Sequence, residues 1–170
     1  MDAPVKKVLL VTNIPNPYRL PLFNELHRQI SAAGMQLKVL FGAGGYSRRK
    51  FELDWKEAEF SYEILGSSGV NVGGSEKTMM TYKGLRIAIR REQPDIIIVS
   101  GFSLATLKLW LLSFTSKITY IIWSGSVVFP GWYVSASRKW RRRRMANRAT
   151  AYIAYGSKAK EYFIGLGANP

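Results

Sequence analysis

Two stretches of the chain combine side chains that can recognise or transform a ligand. Asn13-Ile-Pro-Asn-Pro-Tyr-Arg19 brings a carboxamide, a phenol and a guanidinium close together in a loop stiffened by two prolines. Amides and aromatics of this kind suit sugars and their diphosphates, and an arginine at a helix start meets a phosphate or a carboxylate. The second stretch, Arg138-Lys-Trp-Arg-Arg-Arg-Arg144 with Arg148 beyond it, is a concentrated cation. Successive helical residues lie about 100° apart, so an unbroken arginine run covers more than one helix face and part of it must meet solvent or an anion. Such a run is compatible with a plain solvated surface, with an anionic membrane that takes Trp140 at headgroup level, or with nucleic acid; no recognition helix or aromatic-rich motif accompanies it, which disfavours the last.

The elements that must carry these residues are legible from the apolar runs. Val8 to Val11 are apolar without alternation, as in a strand covered on both faces, and Pro15 and Pro17 then delay any helix to about Leu20. Leu22, Phe23, Leu26 and Ile30 recur at helical spacing up to Gly34. Further strands are expected at Met35 to Phe41, Ser61 to Leu65, Asp95 to Ser100, Lys117 to Trp123 and Ala151 to Tyr155. Helices are expected at about Thr78 to Glu92 on the stripe Met79, Tyr82, Leu85 and Ile89, and after Gly101 on Leu104, Leu107, Leu111 and Phe114. Two more follow, at Ser135 to Arg148 and from Ser157 with Ala159, Tyr162, Phe163 and Leu166 on one face. Ser47 to Phe60 reads as a long excursion on the ligand side, and Gly66 to Ser75 as a flexible connection.

Strands alternating with helices demand right-handed crossovers. The expected fold is α/β, a Rossmann-like, open, mostly parallel six-stranded sheet in the order 3-2-1-4-5-6 with helices on both faces. Ligands of such sheets collect at the carboxyl ends of the strands. That places Asn13, Pro17, Tyr18 and Arg19 on a rim with Gly44 and Gly45, Gly101 and Phe102, Ser124, Gly125 and Ser126, and Ser157 and Lys158 as substrate-binding candidates. Each of these positions is equally open to a packing role.

Composition narrows the chemistry. The 170 residues fit a single domain, and 47% hydrophobic residues give it a core. The chain has no cysteine, which removes disulfide and thiolate chemistry, and its one histidine, His27, falls at a helix border next to Leu26. A metal site is not expected, nor a Ser-His-Asp arrangement, and no cofactor is expected: prolines stand where a Gly-x-Gly-x-x-Gly turn would be needed, and there is no Walker sequence. Ile96 to Trp123 is the most apolar region, but Gly101, Ser103, Lys108 and Lys117 leave no run of about 18 apolar residues. Without a signal-peptide pattern at Met-Asp-Ala-Pro, a cytoplasmic location is expected. The formal charge of +14 implies an anionic partner.

Asn13-Ile-Pro-Asn-Pro-Tyr-Arg-Leu-Pro-Leu-Phe-Asn-Glu-Leu26 resembles the opening of family 4 glycosyltransferases of the GT-B fold. Gln93-Pro-Asp-Ile-Ile-Ile-Val, Ile118-Thr-Tyr-Ile-Ile-Trp-Ser and Ala154-Tyr-Gly-Ser-Lys-Ala follow in the matching order, so the similarity spans nearly the whole chain. The resemblance implies the amino-terminal, acceptor-binding domain of a retaining, metal-independent glycosyltransferase. A nucleotide-sugar would be its substrate, and a lipid-linked or surface-polysaccharide glycan its acceptor. It further implies a second domain carrying a Glu-x7-Glu motif; no glutamates stand at that spacing here, so the chain is expected to be an excised half, inactive in transfer alone. Relatives have a histidine just past the fifth strand. Trp123-Ser124 occupies that position and supplies the catalytic candidates of this half. Family members dock on the inner membrane face, which would make Arg138, Lys139, Trp140, Arg141, Arg142, Arg143 and Arg144 the membrane-binding residues. The alternatives are a non-catalytic basic α/β module that binds phosphate groups or nucleic acid, and a small-molecule binder with a flavodoxin-like sheet.

Overall fold

The computed structural model describes residues 5–45, 54–66, 69–71, 78–127 and 134–168. A six-stranded parallel sheet organises the chain, flanked by helices. Its strands are β1 (Lys7–Thr12), β2 (Gln36–Phe41), β3 (Ser61–Ile64), β6 (Ile96–Ser100), β7 (Tyr120–Ser124) and β8 (Ala151–Ala154), in the order β3-β2-β1-β6-β7-β8. This is the 3-2-1-4-5-6 arrangement expected from the sequence. The short strands β4 (Gly69–Asn71) and β5 (Thr78–Met80) form a separate antiparallel pair. The helices are α1 (Leu20–Ala32), α2 (Leu85–Glu92), α3 (Leu104–Leu112), α4 (Ala136–Arg148) and α5 (Ser157–Gly165). The chain forms two compact units, Met1–Ile97 and Ile98–Pro170.

In the first unit, β1 pairs in parallel with β2, Val8 opposite Leu37 and Thr12 opposite Phe41. Every residue of β1 after Lys7 is buried, which explains the unbroken apolar run. β3 is an exposed edge, with Tyr62 covered by a stacked Trp55 at 4.0 Å between ring centroids. Leu20, Phe23 and Asn24 are the buried side of α1, and Phe23 meets Phe60 edge-on at 5.6 Å. Burying a phenylalanine in this way contributes about 1.5–3 kcal/mol. Leu22, expected in the apolar stripe, is instead exposed; Asn24 takes the inward position. Its Nδ2 donates to the Glu57 carbonyl at 2.8 Å and its Oδ1 accepts from the Glu59 amide at 3.0 Å, so it clamps the segment entering β3.

Two expectations are corrected in this unit. The stretch from Gly66, read as a flexible connection, contains the strand β4, while most of the excursion read at Ser47 to Phe60 lies outside the described residues. The helix expected from Thr78 starts only at Leu85, because Thr78–Met80 is strand β5 and Tyr82 and Gly84 both take positive φ, of 47° and 82°. Two left-handed residues cannot continue a right-handed helix, so the stripe Met79, Tyr82, Leu85, Ile89 is split between a turn and a helix. Gly34, at φ 72°, ends α1 as expected.

In the second unit, β7 pairs with β8, Ile121 opposite Ala151 and Ser124 opposite Ala154. Ser103 caps α3 reciprocally with Thr106, and the buried side of that helix is Ala105, Thr106 and Leu109. Leu111 and Phe114, expected on the core face, are exposed. α4 begins at its cap Ser135 and buries Met145 and Ala146. Ala159, Phe163 and Leu166 are buried beneath α5.

Ion pairs in the first unit link its surface elements. Arg28 spans Glu25 at 2.9 Å and Glu59 at 2.7 Å. Lys38 reaches Glu92 at 2.7 Å and Glu63 at 3.3 Å, and Arg91 contacts both of those carboxylates. The Lys38 hydrogen bond, with help from Arg91, holds the Glu92 carboxyl below its usual range; the Arg28 hydrogen bond does the same for Glu59. A carboxylate whose folded pKa is depressed contributes stability above its unfolded pKa, about 4.3 for Glu, and loses it as pH falls through the folded value. The urea midpoint should therefore fall as pH is lowered from about 5 to 3, and Glu92→Gln should flatten part of the slope. A midpoint unchanged over that window would mean that these pairs add nothing to stability.

Candidate functional site

The first unit places the sequence-predicted loop directly after β1. Asn13 is exposed, Ile14 and Pro15 are buried, and Pro17–Arg19 forms one tight helical turn closed by the Arg19 amide on the Asn16 carbonyl at 2.9 Å. Tyr18 is 71% exposed, with the Arg19 guanidinium 5.7 Å from its ring centroid. Arg19 is half-buried and its Nη1 donates to Thr12 Oγ1 at 3.3 Å. The loop thus presents a phenol and a guanidinium side by side, with the latter oriented by a buried threonine.

The chain just after β2 lies against this loop. The amides of Gly42 and Ala43 donate to the carbonyls of Thr12 and Asn13 at 2.9 and 3.0 Å, extending the β1–β2 ladder past the strand ends. Tyr82, which is 1% exposed, donates its hydroxyl to Asn13 Oδ1. Gly42 makes this possible: a Cβ there would stand 2.8 Å from the Tyr82 ring and 3.1 Å from Met80 Sδ. Gly44 and Gly45 are exposed, with Ile64 at 3.9 Å from a Cβ on the first and nothing near the second. Four of the predicted positions, Asn13, Pro17, Tyr18 and Arg19, therefore belong to one braced rim with Gly44 and Gly45 beside it.

Sequence reasoning missed two residues here. Tyr82 was read as a helix-face residue, because its partner Asn13 is 69 positions away. Asn16 stands between two prolines with no pattern to single it out, yet it is 9% exposed and its Oδ1 is buried with no hydrogen-bond partner among the described residues.

In the second unit the remaining candidates lie at the carboxyl ends of β6, β7 and β8. Gly101 has φ 65°, receives the Thr106 hydroxyl on its carbonyl at 2.5 Å and donates its amide to Trp123 at 2.9 Å. Phe102 packs against Tyr162 and Phe163 at 6.3 and 5.8 Å, with the Arg142 guanidinium 5.3 Å from its ring. Ser124 is 4% exposed; its Oγ bonds to Ser126 Oγ at 2.9 Å and accepts the Ser126 amide at 3.0 Å. That closes the loop on itself around Gly125, where a Cβ would stand 2.8 Å from the Tyr155 ring. Trp123 lies 5.5 Å from Tyr155, half-buried, while Ser157 and Lys158 are exposed on the first turn of α5.

The basic helix is not uniform. Arg138, Lys139, Trp140, Arg141, Arg143 and Arg144 are exposed, and the Arg144 guanidinium sits 5.4 Å from the Trp140 ring centroid. Arg142 turns inward and donates to the Tyr162 hydroxyl at 2.7 Å. Arg148 donates to the Ser113 hydroxyl and carbonyl at 2.9 and 2.5 Å. The end of the helix is fastened by two tyrosines: Tyr120 donates to the Met145 carbonyl at 2.7 Å and Tyr152 to the Ala146 carbonyl at 2.5 Å. Burial pushes both phenols above their ordinary pKa, so they stay protonated donors across the physiological range.

Two hollows among the described residues are lined by none of the substrate-binding candidates. A groove of about 760 Å³ runs along β8 and α5, lined by Thr150, Tyr152, Phe163 and Ile164 among others. A second of about 290 Å³, lined by His27, Lys38 and Glu92, opens at the amino ends of β1 and β2. His27 Nδ1 is buried without a hydrogen-bond partner among the described residues. Among the described residues there is no group of three or more His, Cys, Asp or Glu able to hold a metal ion, and no helix long and apolar enough to cross a membrane.

No family model matches the chain, and no curated protein matches it. Among solved structures it is similar to a UDP-N-acetylglucosamine 2-epimerase, with a TM-score of 0.56 and 16% identity. The match covers 97% of this chain and 46% of that one, so the chain spans about half the length of its structural neighbour. At that identity the likeness shows the fold, a Rossmann-like α/β sheet, and nothing of the reaction.

Gly42→Ala should destabilise the chain by about 1–3 kcal/mol in urea titration, because the added methyl cannot be accommodated beside Tyr82 without displacing its ring. Gly44→Ala, which meets only ordinary contacts, should leave the midpoint nearly unchanged. Equal midpoints for the two variants would show that Tyr82 does not rely on Gly42 for its place.

Proposed function

We propose that this chain is the acceptor-side half of a retaining, metal-independent glycosyltransferase that moves a sugar from a nucleotide-sugar to a lipid-linked or surface-polysaccharide acceptor. The observation that carries the reading is the braced rim after β1, where Tyr18 and Arg19 project beside Asn13 at the carboxyl end of a central parallel strand. It is supported by the likeness in fold to a UDP-N-acetylglucosamine 2-epimerase, an enzyme named for a nucleotide-sugar, about half of whose chain is covered. The donor half would be supplied by a second domain that closes over the acceptor. Arg19, set against Thr12 and Tyr18, is suited to a phosphate or carboxylate of the acceptor. Asn13 is held through Oδ1, which directs its amide nitrogen to a hydroxyl acceptor. Trp123, half-buried against Tyr155, is the catalytic candidate of this half, and the buried Ser124 is a positioning residue that shapes the loop after β7. A peripheral place on an anionic inner membrane face belongs to the same proposal, and the exposed arginines of α4 support it.

A second reading, a non-catalytic basic α/β module for phosphate-rich ligands or nucleic acid, is favoured by one observation. Residues 98–170 contain eleven Lys and Arg against a single carboxylate, Glu161, while residues 1–97 contain fourteen against ten. Kinetics separates the two readings. In a protein comprising this half and its donor domain, Arg19→Ala should raise the acceptor KM about tenfold, the loss of a charge-assisted contact, while moving the donor KM less than twofold. A matching rise in the donor KM would sink the acceptor assignment, and absence of transfer with every nucleotide-sugar tried would favour the module.

A further inference from the structure

The braced rim continues past β1 towards the edge of the sheet. Thr12, which orients Arg19, stands opposite Phe41 in β2, and Phe41 stands opposite Ile64 in β3. Residues opposite one another in neighbouring strands put their side chains on the same face, and each strand step is about 4.8 Å. Ile64 is therefore about 10 Å from Thr12, at the carboxyl end of the edge strand and on the face to which Thr12 directs Arg19. Tyr62, two residues earlier, shares that face and stacks on Trp55 at 4.0 Å; Trp55 and Tyr62 both meet Phe41 edge-on, at 5.8 and 6.5 Å. Phe41 is 1% exposed and forms the floor, whereas Ile64 and Tyr62 are 42% and 37% exposed. Gly44 keeps Ile64 open: a Cβ there would rest on Ile64 Cδ1 and Cγ2 at 3.9 Å, and a longer side chain would cover it. Ile64, Tyr62 and Trp55 thus form one apolar shelf that runs from the same strand ends as the guanidinium.

A single exposed isoleucine needs no explanation, but an apolar shelf in register with the strand end that orients an arginine does. Arg19 is suited to an anion. Beyond it, the row offers carbon surface: Phe41 and Ile64 have no hydrogen-bonding side chain, and one face of each of the Trp55 and Tyr62 rings is occupied by the other. Hydrocarbon is the chemistry that such a surface takes from water. We infer that Ile64, with Tyr62 and Trp55, is a specificity-determining subsite for the hydrocarbon chain of a phosphate ester whose phosphate is held by Arg19. The inference rests on the acceptor reading proposed above and deepens it. Of the two acceptor classes named there it selects the lipid-linked one, because a polysaccharide would set hydroxyl groups against Ile64 with nothing there to bond them.

Calorimetric titration of the 170-residue chain with ethyl phosphate, decyl phosphate below its micellar concentration and glucose 1-phosphate tests this. Decyl phosphate should bind about tenfold or more tighter than ethyl phosphate, since each fully buried methylene is worth about fourfold. Glucose 1-phosphate should bind no tighter than ethyl phosphate. Ile64→Gln, which keeps the size of an exposed side chain, and Gly44→Leu, which covers Ile64, should each remove most of the decyl advantage and leave ethyl phosphate unaffected. Arg19→Ala should weaken all three ligands by about tenfold. Decyl phosphate should also change the tryptophan emission, and Trp55→Phe should abolish that change; far-UV circular dichroism verifies that each variant is folded. If Arg19→Ala leaves every affinity unchanged, the anion site and the acceptor reading fail, and the inference with them. If Arg19→Ala weakens all three but decyl phosphate gains nothing over ethyl, or keeps its gain in both Ile64→Gln and Gly44→Leu, only the shelf is overturned. Glucose 1-phosphate weakened by Ile64→Gln would overturn it in favour of a sugar subsite, and decyl phosphate that does not bind wild type overturns it outright.

Discussion

A helix that carries seven cations and no carboxylate must be held to its domain by uncharged groups, and α4 is. Two of the carbonyls in its last turn, those of Met145 and Ala146, accept the hydroxyls of Tyr120 and Tyr152 from β7 and β8, the Ala146 carbonyl in addition to the amide of Ala149. Its inward guanidiniums meet neutral oxygens, Arg142 at Tyr162 and Arg148 at Ser113. Each bond to a charged donor contributes on the order of 1.5–3 kcal/mol, enough to fix the helix without neutralising it. The positive charge is therefore left over, and it is available only to something outside the domain.

The first unit handles charge in the opposite way. Arg28 is shared between Glu25 and Glu59, and Lys38 and Arg91 are shared between Glu63 and Glu92, so the acids near α1, α2 and β3 are matched by cations of the same unit. Such exposed pairs are screened by solvent and add little stability; their larger effect is to leave little net charge on these elements. The excess of +14 is thus concentrated rather than spread: most of it belongs to residues 98–170. A long-range attraction that would orient the protein toward an anionic surface follows from this asymmetry more than from the total.

Much of the architecture was legible because buried parallel strands need unbroken apolar runs, and Val8 to Val11, Ile96 to Val99 and Tyr120 to Trp123 supply them. Helix register was less legible. In Leu104-Ala-Thr-Leu-Lys-Leu-Trp-Leu-Leu112 the apolar residues surround the helix, so periodicity could not tell that Ala105 and Leu109 are covered while Leu111 is exposed. Met79, Tyr82, Leu85 and Ile89 fitted a helix by spacing alone; the left-handed Tyr82 that breaks it is held by contacts with Asn13 and Gly42, distant in sequence. Asn24 shows the same limit, since a polar residue on a buried helix face makes sense only once the carbonyl and amide it clamps are in place. The rim candidates could be named from the strand ends, but whether a residue there faces a ligand or a neighbour is a tertiary property. Ser124 closes on Ser126 and Phe102 on Tyr162 for reasons no local pattern carries.

What tertiary contacts do to the rim bears directly on how it could bind. The loop after β1 is held in shape by its own protein: the Gly42 and Ala43 amides grip the carbonyls of Thr12 and Asn13, Tyr82 fixes the Asn13 side chain, and Thr12 steadies Arg19. The positive φ of Tyr82 is a local cost of on the order of 1–3 kcal/mol, tolerated because the ring is enclosed and its hydroxyl is bonded. A loop already fixed in this way loses little freedom when a ligand arrives, so affinity would reflect the contacts made and would not be reduced by ordering the chain.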